Sequence, residues 1–493
     1  MPAPADDFEP TIGLEVHAEL LTRSKMFCGC EVVDSTEAEP NRFACEICTG
    51  MPGTLPVINR RAVEFALRVA LALNCRIAET SQFARKNYFY PDLPKGFQIS
   101  QYELPLAQQG WLAIDLDQGE KRVGIRRVHL EEDTGKLFHR EGYSLVDYNR
   151  SGVPLLEIVS EPELHSAEEV KAYSTGLRSL LRYLGVNSGD MQKGTMRFEA
   201  NVSLRRRDSD ELGTRTEIKN LNSFRAVVRS VAYELERQAE LLAAGKPVAQ
   251  ETLGWDENRE ITVPQRGKEE ADDYRYFPEP DLPPLHIEPT WIDQVRRSLP
   301  ELPSARRERF MREYGLSRYS ARLLTEERAV AEYFEAAVRS SDGLAPDKLA
   351  SWIAGELFGL LNQASLSIES TRVTPQALAE VVGLVESGQI SAASAKLVLE
   401  EVFQSGARPA EVVQSRGLLQ LSDSEAIRKL VRQVLRENRQ QVGEYLAGKT
   451  AIAQWFVGQV MRKTGGKANP ALVGQALQAE LQAFARNENR ESA

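Results

Sequence analysis

The chain has 493 residues, 42% of them hydrophobic and 27% charged, with a net charge of −10. That length exceeds one core and calls for roughly two to four domains, and the acidic balance excludes a uniformly basic coat while still allowing local lysine and arginine clusters to meet nucleic acid. No apolar run reaches membrane-spanning length, and the start from Met1 to Glu9 has neither the basic nor the apolar region of a signal peptide, so a cytoplasmic protein is expected.

In chain order, Thr11 to Leu20 reads as a strand, and alternation puts Glu15, His17 and Glu19 on one face of it. Next come Cys28-Gly-Cys30 and Cys45-Glu-Ile-Cys48, two close pairs separated by a loop. In a cytosolic chain such pairs favour a metal over disulfides, and four thiolates favour zinc or an iron–sulfur centre. Zinc is the expected occupant; the alternative is a reduced cluster without metal. Cys75 lies at the edge of a helical run from Ala62 to Leu73, where a lone thiol is a small core residue.

From Arg85 to Gln98 a loop rich in aromatics carries Lys86 and Lys95. Val123 to Leu130 is a strand leading into His129-Leu-Glu131-Glu132-Asp133, a second acidic concentration. The stretch from Asp147 to Glu161 is the most informative: Leu155 to Val159 has the composition of a buried strand, yet Glu157 interrupts it, and an unpartnered carboxylate is costly to bury. A helix follows, opened by the capping box Ser166-Ala-Glu-Glu169, striped by Val170, Tyr173, Leu177, Leu180, Leu181 and Leu184, and stopped by Gly185. Strands from Met196 to Leu204 and from Thr214 to Leu221 carry Glu199 and Glu217, and a second helix is expected from Asn222 to Ala244. Carboxylates with one imidazole suit magnesium, and magnesium suits phosphate. The Pro-rich run from Phe277 to Pro284 reads as an extended strap.

Beyond Ser304 nearly every segment has helical periodicity, with Thr374-Pro375 and Ser422 to Glu425 as helix starts and Gly388 as a stop. The fold class is therefore α+β: a sheet-rich domain over 1–294, then helical domains over 295–415 and 416–493. Within the last, Gly443 to Thr450 spells GxxxxGKT, but an amphipathic helix rather than a buried strand precedes it, so a phosphate loop is not expected. Arg462, Lys463 and Lys467 surround a flexible turn suited to a phosphate backbone.

Several of these stretches, in order, resemble one family: Thr11 to Leu20, the paired cysteines, Lys86-Asn-Tyr-Phe-Tyr-Pro-Asp-Leu-Pro-Lys95-Gly, His129 to Lys136, Asp147 to Glu161, and Glu217-Ile-Lys-Asn-Leu-Asn-Ser223 are similar to GatB, the B subunit of tRNA-dependent amidotransferases. The resemblance spans essentially the whole chain. It implies an antiparallel sheet cradle related to glutamine synthetase, a helical domain and a YqeY-like tail. It implies ATP-dependent phosphorylation of the side-chain carboxylate of glutamate on the glutamine tRNA, or of aspartate on the asparagine tRNA, then amidation. Glu15, His17, Glu132, Glu199 and Glu217 would hold magnesium, with Glu131 also catalytic; Lys86, Lys95 and Glu131 would line an ammonia route. The chain carries no convincing amidase constellation, so ammonia would come from glutamine hydrolysed by an A subunit, with a small C subunit joining the pair. A stand-alone acyl-phosphate ligase using free ammonia and a non-catalytic tRNA-binding scaffold are the alternatives.

Overall fold

The computed structural model describes residues 7–209, 211–265, 274–421, 423–465 and 467–491. Residues 1–6 of the acidic start, Ser422 of the expected helix start and Gly466 of the basic turn lie outside them. The chain divides into two compact units, the first ending at Ala305 and the second beginning at Arg306.

Nine strands form the main sheet of the first unit: β1 (Phe8–Glu19), β2 (Arg76–Ile77), β3 (Ala107–Leu116), β4 (Gly119–Glu132), β5 (Pro154–Ser160), β6 (Met196–Arg206), β7 (Thr216–Leu221), β8 (Thr252–Asp256) and β9 (Ile261–Pro264). Their order is β9-β8-β7-β6-β1-β5-β4-β3-β2. Every neighbouring pair is antiparallel except β7 and β8, so the expected antiparallel cradle is a mixed sheet. The reason is the connection: β7 reaches β8 through a long helix, a crossover that returns the chain in the same direction.

Alternation gives the sheet two unlike faces. Leu14, Val16, Ala18, Val128, Leu130, Leu156, Ile158, Phe198, Ala200 and Val202 share one face and are fully buried, each of the larger ones contributing about 1.5–3 kcal/mol. Three helices supply the covering: α1 (Arg60–Ala72) packs on β4, α2 (Ala167–Tyr183) on β3 and α3 (Phe224–Ala243) on β6. Asn59, Ser166 and Ser223 cap them, each side chain accepting from a first-turn N–H. Glu169 completes the second cap with a bond from the His165 N–H at 2.7 Å, one residue before the Ser166 a standard capping box would use. The opposite face carries Glu15, His17 and Glu19.

The loop from Arg85 to Gln98 is framed by strands, since Ala84–Asn87 pairs with Phe97–Ser100. The strap adds a third strand through Phe277–Pro278, and Arg85 fixes it with two bonds of 2.8 Å to Glu279. The helix Pro289–Arg297 packs back on α1, with the Arg60 guanidinium 5.2 Å from the Trp291 ring centre; the first unit therefore runs past residue 294.

The second unit is helical and holds two separate apolar cores, one built from residues between Phe310 and Val413, the other between Ile427 and Leu481. Thr374 caps the helix Pro375–Glu386, and Asp423 caps the helix Ser424–Glu437. Glu335 is nearly buried between Arg306 and Arg309, the latter at 2.8 Å. Burial opposes its charge, but Arg309 and Arg306 prevail and hold the carboxyl below its ordinary range. Glu335→Gln is expected to cost this unit about 1–3 kcal/mol at pH 7, read as a lower urea midpoint. Because the folded pKa is depressed, that stability is fully present above the unfolded value of about 4.3 and is lost as pH falls through the folded one. The variant's midpoint should therefore converge on that of the parent in acid; a constant gap from pH 7 to pH 3 would contradict the ion pairs.

Candidate active site

Strand register assembles the polar face. His17 on β1 stands opposite Glu157 on β5, and Glu157 stands opposite His129 on β4. The His17 Nε2 lies 3.4 Å from Glu157 and 3.7 Å from Glu131; the His129 Nε2 lies 3.2 Å from Glu157 and 3.9 Å from Glu131. Glu131, Glu157 and His129 are all buried. Burial works against the Glu157 charge, yet the two imidazoles outweigh it and hold its pKa well below the ordinary value. Burial likewise opposes the His17 imidazolium, but Glu157, Glu199 and Glu131 push its pKa up to about 9. Lys86 faces the same group: burial disfavours its charge, Glu131 and Glu157 among others favour it, and its pKa is raised. Its ammonium lies 4.7 Å from the Tyr274 ring centre.

The arrangement fits a hard divalent cation. One donor atom each from His17, Glu131 and Glu157 lies within 4.8 Å of the others, compatible with the roughly 3–4.2 Å between ligands of an octahedral ion. The Nδ1 of His129 is buried without a hydrogen-bond partner among the described residues.

The structure separates the five carboxylate and imidazole ligands that the resemblance implies. Only His17 joins the compact group. Glu15 stands opposite Glu199 and accepts from Asn201 at 2.9 Å; its pKa is raised by burial and by Glu157 and Glu199. Glu199 and Glu217 are bridged by the Lys219 ammonium at 3.0 and 3.3 Å. Glu132 is the correction: adjacent to Glu131 on β4, it points to the other side, binding the Lys95 ammonium at 2.5 Å and the Ile99 N–H at 2.9 Å. Lys86 and Lys95 thus address different carboxylates, Lys86 the His17 side and Lys95 the Glu132 side. Lys95 and Glu132 line a cleft of about 210 Å³ together with Cys48, Arg85 and Glu279.

The four cysteines converge. The sulfurs of Cys28, Cys30, Cys45 and Cys48 lie within 4.8 Å of one another, and that of Cys45 is 3.8 Å from that of Cys48. Zinc–sulfur bonds of about 2.3 Å in a tetrahedron set sulfurs about 3.8 Å apart, so the donor set fits zinc. A hydrogen bond from Cys28, helped by the Cys45 N–H and the Lys25 ammonium, brings the Cys48 pKa down to about 4 against burial. Cys75 is buried in the core, and burial alone pushes its thiol up to about 12.

The stretch from Asp147 to Gly152 holds this cysteine loop. Asp147 accepts from the Asn41 N–H and Asn149 from the Phe43 N–H, both at 2.8 Å. Asn149 donates to the Glu39 carbonyl at 2.8 Å and Ser151 to the Cys48 carbonyl at 3.0 Å. The informative stretch therefore serves two sites: its turn clasps the cysteines and its strand, β5, carries Glu157.

Comparison with known proteins gives the family. Residues 10–293 match the model described as the GatB/GatE catalytic domain, and residues 332–481 match the GatB domain. The chain is 52% identical to the B subunit of the aspartyl/glutamyl-tRNA(Asn/Gln) amidotransferase of Roseiflexus sp. (strain RS-1), over 96% of this chain and 98% of that protein. It is 53% identical to the protein of the same name from Nitratidesulfovibrio vulgaris (strain DP4), covering 96% and 99%, and 52% identical to that from Moorella thermoacetica (strain ATCC 39073 / JCM 9320), covering 96% and 100%. The chain belongs to the GatB family.

In this GatB chain the matched catalytic domain contains every strand of the sheet except the first two residues of β1. The matched helical domain contains Arg462, Lys463 and Lys467, all exposed near the end of the helix Ile452–Lys463, with Lys463 paired to Glu437 at 2.6 Å. Gly443 to Thr450 is the end of the helix Arg439–Leu446 and a following turn, where Lys449 pairs with Glu444; the element before it is another helix, Ser424–Glu437. Glu157 and His129 join the compact group although neither has a metal role in the sequence reading. Partial signals were present: His129 and Glu131 are two apart on one strand and so share a face, and Glu157 interrupts a strand that is otherwise apolar.

Proposed function

We propose that this GatB chain activates the side-chain carboxylate of an amino acid misattached to tRNA, glutamate on the glutamine tRNA or aspartate on the asparagine tRNA, for amide formation. The observation that carries the reading is the group of half-buried His17 with buried Glu131 and Glu157 on the polar face of the sheet, in a chain half-identical along its length to proteins named as the B component of such an amidotransferase. His17, Glu131 and Glu157 would hold magnesium, which when bound supplies charge neutralisation for phosphoryl transfer from ATP. His129 orients Glu157 from the adjacent strand. Lys86 keeps a fixed positive charge beside Glu131, suited to anionic oxygens of a carboxylate or phosphate. Glu199 and Glu217, joined by Lys219, and Glu15, which stands opposite Glu199, form the outer part of the same face and complete the acidic set.

Phosphorylation gives the carboxylate a leaving group that ammonia can displace. Ammonia would come from an A-type amidase subunit held by a small C-type subunit, along a route past Lys95, Glu131 and Lys86. The four cysteines hold structural zinc, and the separate cores of the second unit, which begins at Arg306, support a helical domain ending near 415 and a YqeY-like tail over 416–493, where Arg462, Lys463 and Lys467 meet the tRNA backbone. The polar face of the sheet supports kinship with glutamine synthetase, whose chemistry also passes through an acyl phosphate. The setting is the cytoplasm; no helix among the described residues is long and apolar enough to cross a membrane.

The test is to give the assembled complex each misacylated tRNA with ATP, magnesium and glutamine, then release and identify the amino acid. Glutamine or asparagine should be recovered, only when ATP is present. Amidation of free glutamate by the isolated chain with ammonium would favour a stand-alone ligase, and product without ATP turnover would refute the activation step.

A further inference from the structure

Lys25 is fully buried, lying in the connection between β1 and α1. Taking an ammonium out of water costs several kcal/mol unless an anion meets it. Among the described residues no carboxylate forms an ion pair with Lys25; its ammonium donates to the Tyr148 carbonyl at 3.2 Å and approaches the Cys48 sulfur at 3.7 Å. The sulfur is the group that can carry the balancing charge, provided it is a thiolate.

The rest of the residue is tied to the same place. The Lys25 N–H donates to the Cys30 carbonyl at 2.9 Å, so its backbone holds one cysteine pair while its side chain reaches the other. The Cys48 sulfur also accepts the Cys45 N–H at 3.0 Å. Gly152 makes the room: at φ +82° a side chain is strained, and a Cβ there would stand 3.2 Å from the Cys48 Cβ and 3.6 Å from the Lys25 Cδ. Four thiolates around zinc carry a net charge of −2, which a buried setting penalises unless donors and cations surround it.

We propose that Lys25 is the outer-sphere cation of the four-cysteine centre, donating to the Cys48 sulfur, offsetting part of the thiolate charge and so setting how tightly zinc is held. The proposal rests on the zinc reading above, and the experiment separates the two. Zinc is measured in the purified full-length chain by metal analysis, and its release is followed with a chromophoric chelator in the parent and in Lys25→Met, which keeps the stem and removes the charge.

The parent should hold zinc, and the Met variant should lose about 10–100-fold in zinc affinity, the usual cost of removing an outer-shell partner. Lys25→Arg, which restores a cationic donor, should recover part of it. With cobalt in place of zinc, the sulfur-to-metal absorption should shift in the Met variant, a change that a general loss of packing does not produce. Should the Met variant not fold, Lys25→Gln, a donor without charge, is expected to show the same weakening. Zinc in the parent with unchanged affinity in the folded uncharged variants overturns the role of Lys25 and leaves the zinc reading standing. A parent that takes up no zinc overturns both.

Discussion

Glu157→Gln should lower amide formation on tRNA by roughly 10²–10³-fold, the scale on which removal of one preorganised electrostatic partner is felt. The substitution keeps the volume of a buried side chain that lies 3.2 Å from His129 and 3.4 Å from His17, so the sheet should fold. What changes is charge: the proposed cation loses one of two carboxylates, and magnesium affinity should fall with it. Glutamine hydrolysis by the proposed amidase subunit should persist, because this group is assigned to carboxylate activation alone. Glu132→Gln is the contrasting variant. Its carboxylate binds Lys95 and the Ile99 N–H on the other side of β4, so the magnesium midpoint should stay where it was even if coupling to ammonia suffers. Acyl-phosphate formation at the parent rate in Glu157→Gln, with the same magnesium dependence, would remove this group from the reaction.

The sheet was legible wherever one face was apolar. Leu14, Val16 and Ala18 alternate with Glu15, His17 and Glu19, and the two faces of β1 follow directly. The helices were legible through their caps, Ser166, Thr374 and the residues around Ser223 and Asp423. The compact group of His17, Glu131 and Glu157 was not, because membership depends on which strands are neighbours: β1, β5 and β4 lie side by side although they are far apart in sequence. Nothing local says that Glu157 faces His17. Glu131 and Glu132 show the opposite difficulty, two adjacent carboxylates that one strand sends to opposite sides. The boundary at residue 305 was hidden for a third reason, since the helix Pro289–Arg297 reads like those that follow it and only its packing on α1 assigns it to the first unit. The stretch from Asp147 to Gly152 was conspicuous for polar residues that a strand would not choose; their partners, Asn41, Phe43 and Cys48, sit about a hundred positions earlier.

Those same bonds predict how the chain responds when the cysteine centre is broken. Cys45→Ser should abolish zinc binding, since a serine hydroxyl is a poor substitute for a thiolate in a closed four-sulfur site, and binding and local folding are coupled in such sites. The segment from 25 to 55 has little regular structure of its own, an isolated bridge between Ser24 and Glu31 apart; beyond Met26 and Phe27, which sit in the core, the cross-links that fix it are the cysteines, the clasp from Asp147 to Gly152 and the ion pairs of Lys193 with Asp34 and Glu37. The main core does not depend on them: β1, β5 and β6 are joined by long ladders and buried beneath three helices. Loss should therefore be local rather than global. Hydrogen exchange should quicken at the amides of Asn41 and Phe43, which donate to Asp147 and Asn149, while Leu14, Val16 and Ile158 remain protected. Proteolysis should cut first between 31 and 48. Amide formation should fall as well, though less than in Glu157→Gln, because the turn that is released leads straight into β5 and the carboxylate it presents. Unchanged exchange at Asn41 and Phe43 in a zinc-free Cys45→Ser chain would mean that the clasp holds the loop unaided and that the cysteine centre adds nothing to its order.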